Sequence, residues 1–418
     1  MSNNKCSFCS SSELKEILNF GDVALAGGFI KKSSIDKEKK YPMTFTICNA
    51  CFGVQIAEKI NADEMFKDYF YFSSQIQTLQ NHFAQHAKNV TSKFIEDITS
   101  ASVLEFGSND GVLLKPLVAE GINQVIGVDP AQNVVEQNQV EGAHQVVGYF
   151  NENLANDLLV SFGKQDLILA NNCYAHINDI NSTTKAVEMM LKDDGLFIFE
   201  VHHLLKLIDE LQFDMIYHEH IYYYSIIFLL EYFKKHSLKV YKVDEISIHA
   251  GSIRVYVCKE GSIRYSDEDP SVQLLVSKEK LAGLDDYDAL KFFRDSVINF
   301  KTDLLALLTK IKSEGGNILG YGASGRANTI LQFCNIDNTI LDYIIDDSPP
   351  KQGFYTPGTH IEIVDNKILN NNSHNYILLF AWAFLDEIVK KNMNFLENGG
   401  KIIVPFPELK VIDIKDLK

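Results

Sequence analysis

Apolar residues follow two rhythms along the chain. In the first, short unbroken apolar runs occupy residues 101–107, 124–130, 145–148, 166–170 and 195–200, and again 317–321 and 343–347. Such runs, rich in Val, Ile, Leu and Phe, predict strands buried on both faces of a sheet. In the second, apolar residues recur three or four positions apart, as on a helix with one buried face. The longest stretch of this kind spans 284–313, with Leu290, Phe293, Val297, Phe300, Leu304, Leu307, Leu308 and Ile311 on one side. Strands alternating with helices predict an α/β fold with doubly wound, Rossmann-like sheets, one central and a second after the long helix.

A chain of 418 residues exceeds a single ordinary core and predicts two or three domains. No apolar run is long enough to span a bilayer, and Met1-Ser2-Asn3-Asn4-Lys5-Cys6 carries no apolar signal core. The expectation is a cytoplasmic protein with no membrane partner. A formal net charge of −16 argues against nucleic acid, which needs a basic face. The lysine-rich stretch 31–40 reads as a solvated loop.

Four of the seven cysteines form two pairs, Cys6-x-x-Cys9 and Cys48-x-x-Cys51. Each two-residue gap lets both thiolates reach one ion, and two pairs complete a tetrahedron. Such a set reads as a closed structural Zn2+ site, with no open position for chemistry, the alternative being two unrelated Cys-x-x-Cys pairs, one of them redox-active. The wide gap between the pairs calls for an inserted loop, turned at Gly21, Gly27-Gly28 and Pro42. Cys173, Cys258 and Cys334 lie singly beside apolar runs and read as core thiols.

The first central strand leads into Glu105-Phe106-Gly107-Ser108-Asn109-Asp110-Gly111. A dinucleotide loop prefers Gly-x-Gly-x-x-Gly, whose backbone presses on a pyrophosphate. Here an acid precedes the first glycine, where it would repel a pyrophosphate and attract a cationic amino group. Asn109 stands where glycine is usual, and Asn tolerates left-handed backbone. Asp129 ends the second strand, placed to accept hydrogen bonds from a ribose diol. S-adenosylmethionine has the ammonium, sulfonium and ribose that suit these charges, so Glu105, Gly107, Ser108, Asn109, Gly111, Asp129 and Asn171 are candidate cofactor contacts.

The C-terminal unit carries a second loop, Gly320-Tyr321-Gly322-Ala323-Ser324-Gly325-Arg326, with an acid roughly twenty residues on. Taken alone it fits the dinucleotide fingerprint, and a dehydrogenase module is one reading. Another is a nucleotide-sugar site in which helix-start amides hold the diphosphate. Gly322, Ser324, Gly325, Arg326, Asn328 and Lys351 would then be substrate contacts. A third reading is purely structural.

These motifs, in this order, resemble the nucleotide-sugar C-methyltransferases, the family that includes the 3-C-methyltransferase of tetronitrose biosynthesis. The resemblance runs from the four cysteines through Tyr69-Phe70-Tyr71-Phe72-Ser73-Ser74 and the first glycine loop to Tyr217-His218-Glu219-His220. It continues through His249-Ala250-Gly251-Ser252-Ile253-Arg254 and the second glycine loop. Phe106 replaces a commoner Ile or Val, and Ala250 replaces the second residue of a usual His-Gly-Gly. The resemblance implies a zinc-binding domain at 1–72, a class I methyltransferase domain at 73–262 and a nucleotide-sugar-binding α/β domain at 263–418.

It also implies that a methyl is added to a carbon beside the ketone of a nucleotide-linked keto-deoxysugar. That chemistry needs a base, a holder for the enolate oxygen and an in-line methyl sulfonium. By resemblance His220 is the base, Glu219 its partner or the group polarising the ketone, and Tyr71 an active-site tyrosine. Tyr217 can face the same cavity. His176 follows the fourth strand at the carboxyl edge, where open α/β sheets bind ligands. The tyrosines after His220 and Trp382 read as wall and packing, and His202 and His203 as substrate contacts or turn caps. An O- or N-methyltransferase on a similar sugar, or a non-catalytic zinc- and nucleotide-binding sensor, are the rival readings. The sequence leaves monomer and weak dimer open.

Overall fold

The computed structural model describes residues 5–66, 73–371 and 374–417. Tyr71 lies outside the described residues. Three sheets account for the apolar runs.

The middle sheet has seven strands, ordered Leu238–Ile246, Ser252–Lys259, Leu191–His202, Gln165–Asn171, Ser102–Phe106, Gln124–Asp129 and Ala143–Val147. The last five run parallel, and the first two are an antiparallel extension. The chain order reverses beside Ser102–Phe106, whose neighbours are Gln124–Asp129 and Gln165–Asn171. A crevice opens at such a reversal, at the carboxyl ends of the strands. The C-terminal sheet is ordered Ile363–Val364, Ile344–Ile345, Ile318–Tyr321, Tyr376–Leu379, Lys401–Val404 and Lys410–Ile412, parallel except for the last pairing.

The long helix is Tyr287–Ser313. Asp286 caps its start by accepting the Asp288 N–H. Gly315, at φ 83°, ends it, and the Gly316 N–H returns to the Ile311 carbonyl at 2.8 Å. Seven of its eight apolar positions are fully buried, Leu307 being partly so. Each buries about 1.5–3 kcal/mol of apolar surface. Their core is shared with the N-terminal strands and the C-terminal sheet, so the helix bolts those two units together.

Half of the insertion between the cysteine pairs is strand rather than loop. Leu14–Ala24 and Lys40–Cys48 pair antiparallel, with bulges beside Leu18 and Gly21. Ile17, Phe20 and Val23, kept on one side by the two bulges, give this ribbon an inner face on the shared core. The third strand, Val54–Ile56, pairs with Tyr222–Tyr223 from the middle of the chain. The lysine-rich stretch is not wholly solvated either. Glu38 accepts the Gly358 N–H at 3.0 Å and pairs with His360 at 2.8 Å, tying it to the C-terminal unit.

Candidate active site

Cys6, Cys9, Cys48 and Cys51 present sulfurs that all lie within 4.8 Å of one another. Four convergent thiol sulfurs fit a tetrahedral Zn2+, and together they would fill its shell. The site therefore stabilises the fold and leaves the chemistry to other residues.

The crevice at the sheet's switch point is shaped by left-handed backbone. Gly107 and Gly111 adopt φ 70° and 74°, and Asn109 takes φ 46° between them. A Cβ at Gly107 would stand 2.5 Å from Cβ of Cys173, so glycine is required there. Asp129 accepts the N–H groups of Asn109 (2.8 Å) and Ala131 (2.9 Å), which locks the loop to the end of the second strand. Asn171 donates to Glu105 at 3.4 Å. Oε2 of Glu105, Oγ of Ser108 and Oδ1 of Asn171 are buried without a hydrogen-bond partner. Orphaned acceptors at the sheet's switch point fit a ligand bearing an ammonium and hydroxyl groups. Burial pushes the Glu105 carboxyl up to about 8, with the Asn171 hydrogen bond opposing it.

The second cluster hangs from the connection after Leu191–His202. Tyr217, Glu219 and His220 share one tight turn, in which the His220 N–H reaches the Tyr217 carbonyl at 2.9 Å. The His220 ring lies 5.0 Å from that of His176 and 4.0 Å from that of Tyr217. Nδ1 of His220 is 2.7 Å from the Met215 carbonyl. A carbonyl can only accept, so Nδ1 carries the proton and Nε2 keeps its lone pair. Burial holds His220 neutral, far below the ordinary histidine range, with His176 adding to the effect. Burial and then His249 likewise lower His176 to about 4. Glu219 is half-buried, and desolvation lifts its carboxyl to about 7 against a hydrogen bond from Gly27.

Three units meet here. Gly27 of the N-terminal ribbon touches Glu219, and the Gly325 Cβ position lies 3.4 Å from the Tyr217 ring. Sequence reasoning placed Gly27 only as a turn residue. His218 faces away, donating Nε2–H to the Pro42 carbonyl at 3.1 Å. His203 is buried on Glu279 at 2.7 Å. Tyr222 and Tyr223 are buried sheet residues.

The residues of the second glycine loop are spread more widely. Ser324 caps the helix Gly325–Cys334 by accepting the Ala327 N–H. Arg326 donates to both oxygens of Asp214, at 2.8 and 3.1 Å. Asn328 donates to the Ala26 carbonyl, and Lys351 donates to the Ala323 carbonyl at 2.7 Å. The Cβ position of Gly322 is 2.8 Å from Cβ of Ala381, a close approach within the unit. Trp382 is more than packing: its Nε1–H reaches Asp214 at 3.0 Å and its ring underlies Arg326 at 4.7 Å. Asp214 was missed in the sequence, where its one signal is a lone acid between Phe213 and Met215.

Three family models match in order: a zinc binding domain over residues 6–66, a methyltransferase domain over 79–243 and a C-methyltransferase C-terminal domain over 247–407. The chain is an S-adenosylmethionine-dependent methyltransferase with a structural zinc domain. Its C-terminal part matches a C-methyltransferase domain model, directly after the methyltransferase domain. Among curated proteins it is similar to C-methyltransferase NovU of Streptomyces niveus, with 29% identity over 98% of this chain and 97% of that one. Solved structures to which it is similar include an S-adenosylmethionine-dependent methyltransferase of Clostridium acetobutylicum, 15% identical over 43% of this chain and 92% of that one, TM-score 0.34. Magnesium protoporphyrin IX methyltransferase of Synechocystis, with bound S-adenosylhomocysteine, is 13% identical over 47% and 91%, TM-score 0.35. At these scores the structural likeness carries no functional weight. No helix among the described residues is long and apolar enough to cross a membrane.

Proposed function

We propose that this C-methyltransferase acts on a nucleotide-linked keto-deoxysugar and methylates the carbon beside the ketone through an enolate. The observation that carries this reading is the His220 tautomer, fixed with its proton on Nδ1 by Met215 and a lone pair on Nε2. Nε2 takes the proton from the carbon, and the C–H electron pair becomes the enolate double bond. Glu219, protonated near neutral pH by its raised pKa, donates to the developing enolate oxygen. His176 supports the same wall as a second neutral imidazole, and Tyr217 packs over the base. S-adenosylmethionine, when bound, supplies an electrophilic methyl on sulfonium. Glu105, Ser108, Asn109, Asp129 and Asn171 would hold it by its ammonium and hydroxyl groups. The glycine loop at 320–326 is the proposed seat of the nucleotide, with Arg326 its fixed cation.

The test is deuterium uptake by NMR. TDP-, UDP- and CDP-linked 4-keto-6-deoxysugars are incubated with enzyme in heavy water, with and without cofactor. Exchange beside the ketone, lost in His220→Ala, is the expected result. Methyl transfer to oxygen or nitrogen on any of these sugars would overturn the proposal.

A further inference from the structure

One short stretch, residues 212–215, reaches three separate parts of the site. Gln212 is fully buried and donates its side-chain amide to the Ala250 carbonyl at 2.9 Å, holding the turn Ile248–Ala250. Asp214 is also fully buried, and it accepts three hydrogen bonds, two from Arg326 and one from Trp382. The Met215 carbonyl takes the Nδ1 proton of His220. Asp214 and Met215 both belong to the single turn Phe213–Met215. That turn also packs closely against the helix Gly325–Cys334, where the Thr329 hydroxyl reaches the Ile216 carbonyl at 3.4 Å.

Both hydrogen-bond partners of the Asp214 carboxylate, Arg326 and Trp382, come from the C-terminal unit. A buried carboxylate persists only where it is fully paired, so these three donors fix its position. The neighbouring carbonyl is fixed with it. Without that carbonyl, either ring nitrogen of His220 could carry the proton, and the basic lone pair would no longer have one address.

We propose that Asp214 is a positioning residue for His220, holding the Phe213–Met215 turn against Arg326 and Trp382 so that the Met215 carbonyl keeps the base in its Nδ1–H tautomer. This rests on the reading of His220 as the base. Asp214 is fully buried and spends its oxygens on Arg326 and Trp382. It acts through one peptide unit, and by this route the C-terminal glycine loop is in register with the base.

The experiment uses the full zinc-loaded chain with bound S-adenosylhomocysteine and 15N-labelled histidine, the His220 signal being assigned by its loss in His220→Gln. The wild type should show Nδ1 protonated. In Asp214→Asn the two tautomers should mix, substrate deuterium exchange should fall at least tenfold, and S-adenosylhomocysteine affinity should stay within twofold. An unchanged tautomer and exchange rate overturn the proposal, even if the melting temperature drops. Should Asp214→Asn fail to fold, Trp382→Phe removes one donor and keeps the ring beneath Arg326. It should shift both readouts the same way, by threefold or more in exchange, and no shift is equally fatal. The tautomer readout needs no substrate. A tautomer shift in Asp214→Asn beside normal exchange in His220→Ala would leave the positioning role intact and sink the base assignment instead.

Discussion

Oε1 of Glu219 lies 2.8 Å from the point where a Cβ on Gly27 would stand. Gly27 is exposed on its other side, and the atom it would displace is the free end of a side chain rather than backbone. A methyl group there moves the carboxyl and leaves the ribbon intact. Gly27→Ala should therefore lower kcat by roughly ten- to hundredfold, the usual consequence of an ångström-scale misplacement. Its melting temperature should stay near wild type. Steady-state kinetics beside a thermal melt separate the two effects.

The raised pKa of Glu219 has a stability signature with a definite sign. Its carboxyl titrates at about 7 in the fold, against 4.5 for the free side chain. The folded state therefore holds a proton that the unfolded state releases. Its contribution to stability is full below about pH 4.5, is lost as pH rises to about 7, and is constant above that. Glu219→Gln removes this penalty. Urea midpoints should show the variant gaining on wild type between pH 5 and 7, by on the order of 2 kcal/mol once partial exposure is allowed for.

Glu105 makes a similar argument about ligand binding. At about 8 in the free protein, it is largely protonated at neutral pH. An ammonium beside it favours the carboxylate, so cofactor binding at pH 7 should release close to one proton. Titration calorimetry of S-adenosylhomocysteine in two buffers of different ionisation enthalpy measures that number directly. Glu105→Gln should bring it to zero and weaken binding.

Ala250 sits at φ 66°, between His249 at 53° and Gly251 at 119°. Left-handed backbone costs a residue with a Cβ roughly 1–2 kcal/mol, part of which glycine returns as unfolded-state entropy. Ala250→Gly should stabilise the protein by about 1 kcal/mol with catalysis intact. Chemical denaturation reads this, and a loss of stability would show that the turn is not strained at this position.

What was legible in the sequence followed from periodicity and from local spacing. The strand runs and the long helix stand within a few residues of their expected places because burial on one or two faces imposes its period directly. The four cysteines and the two glycine loops were readable because each needs its ligands or its tight turn within a few residues. What escaped depends on contacts distant in sequence. Asp214 acquires its role from Arg326 and Trp382, more than a hundred residues later. Gly27 matters because of Glu219, and Tyr222 became a strand only because Val54–Ile56 offered an open edge. No local pattern announces such partners.

That last strand pairing has a thermodynamic corollary. Gln55 is in register with Tyr222 and Val54 with Tyr223, immediately after His220, while Phe8, between two zinc ligands, packs on the Tyr222 ring at 4.8 Å. Ordering of the Tyr217–His220 segment and closure of the thiolate cage should therefore be coupled equilibria. By reciprocity, whatever factor metal contributes to ordering that segment, a ligand that orders the segment must return to metal affinity. A ligand seated beside His220 should therefore tighten zinc binding from a distance, and the zinc dissociation constant should record its arrival.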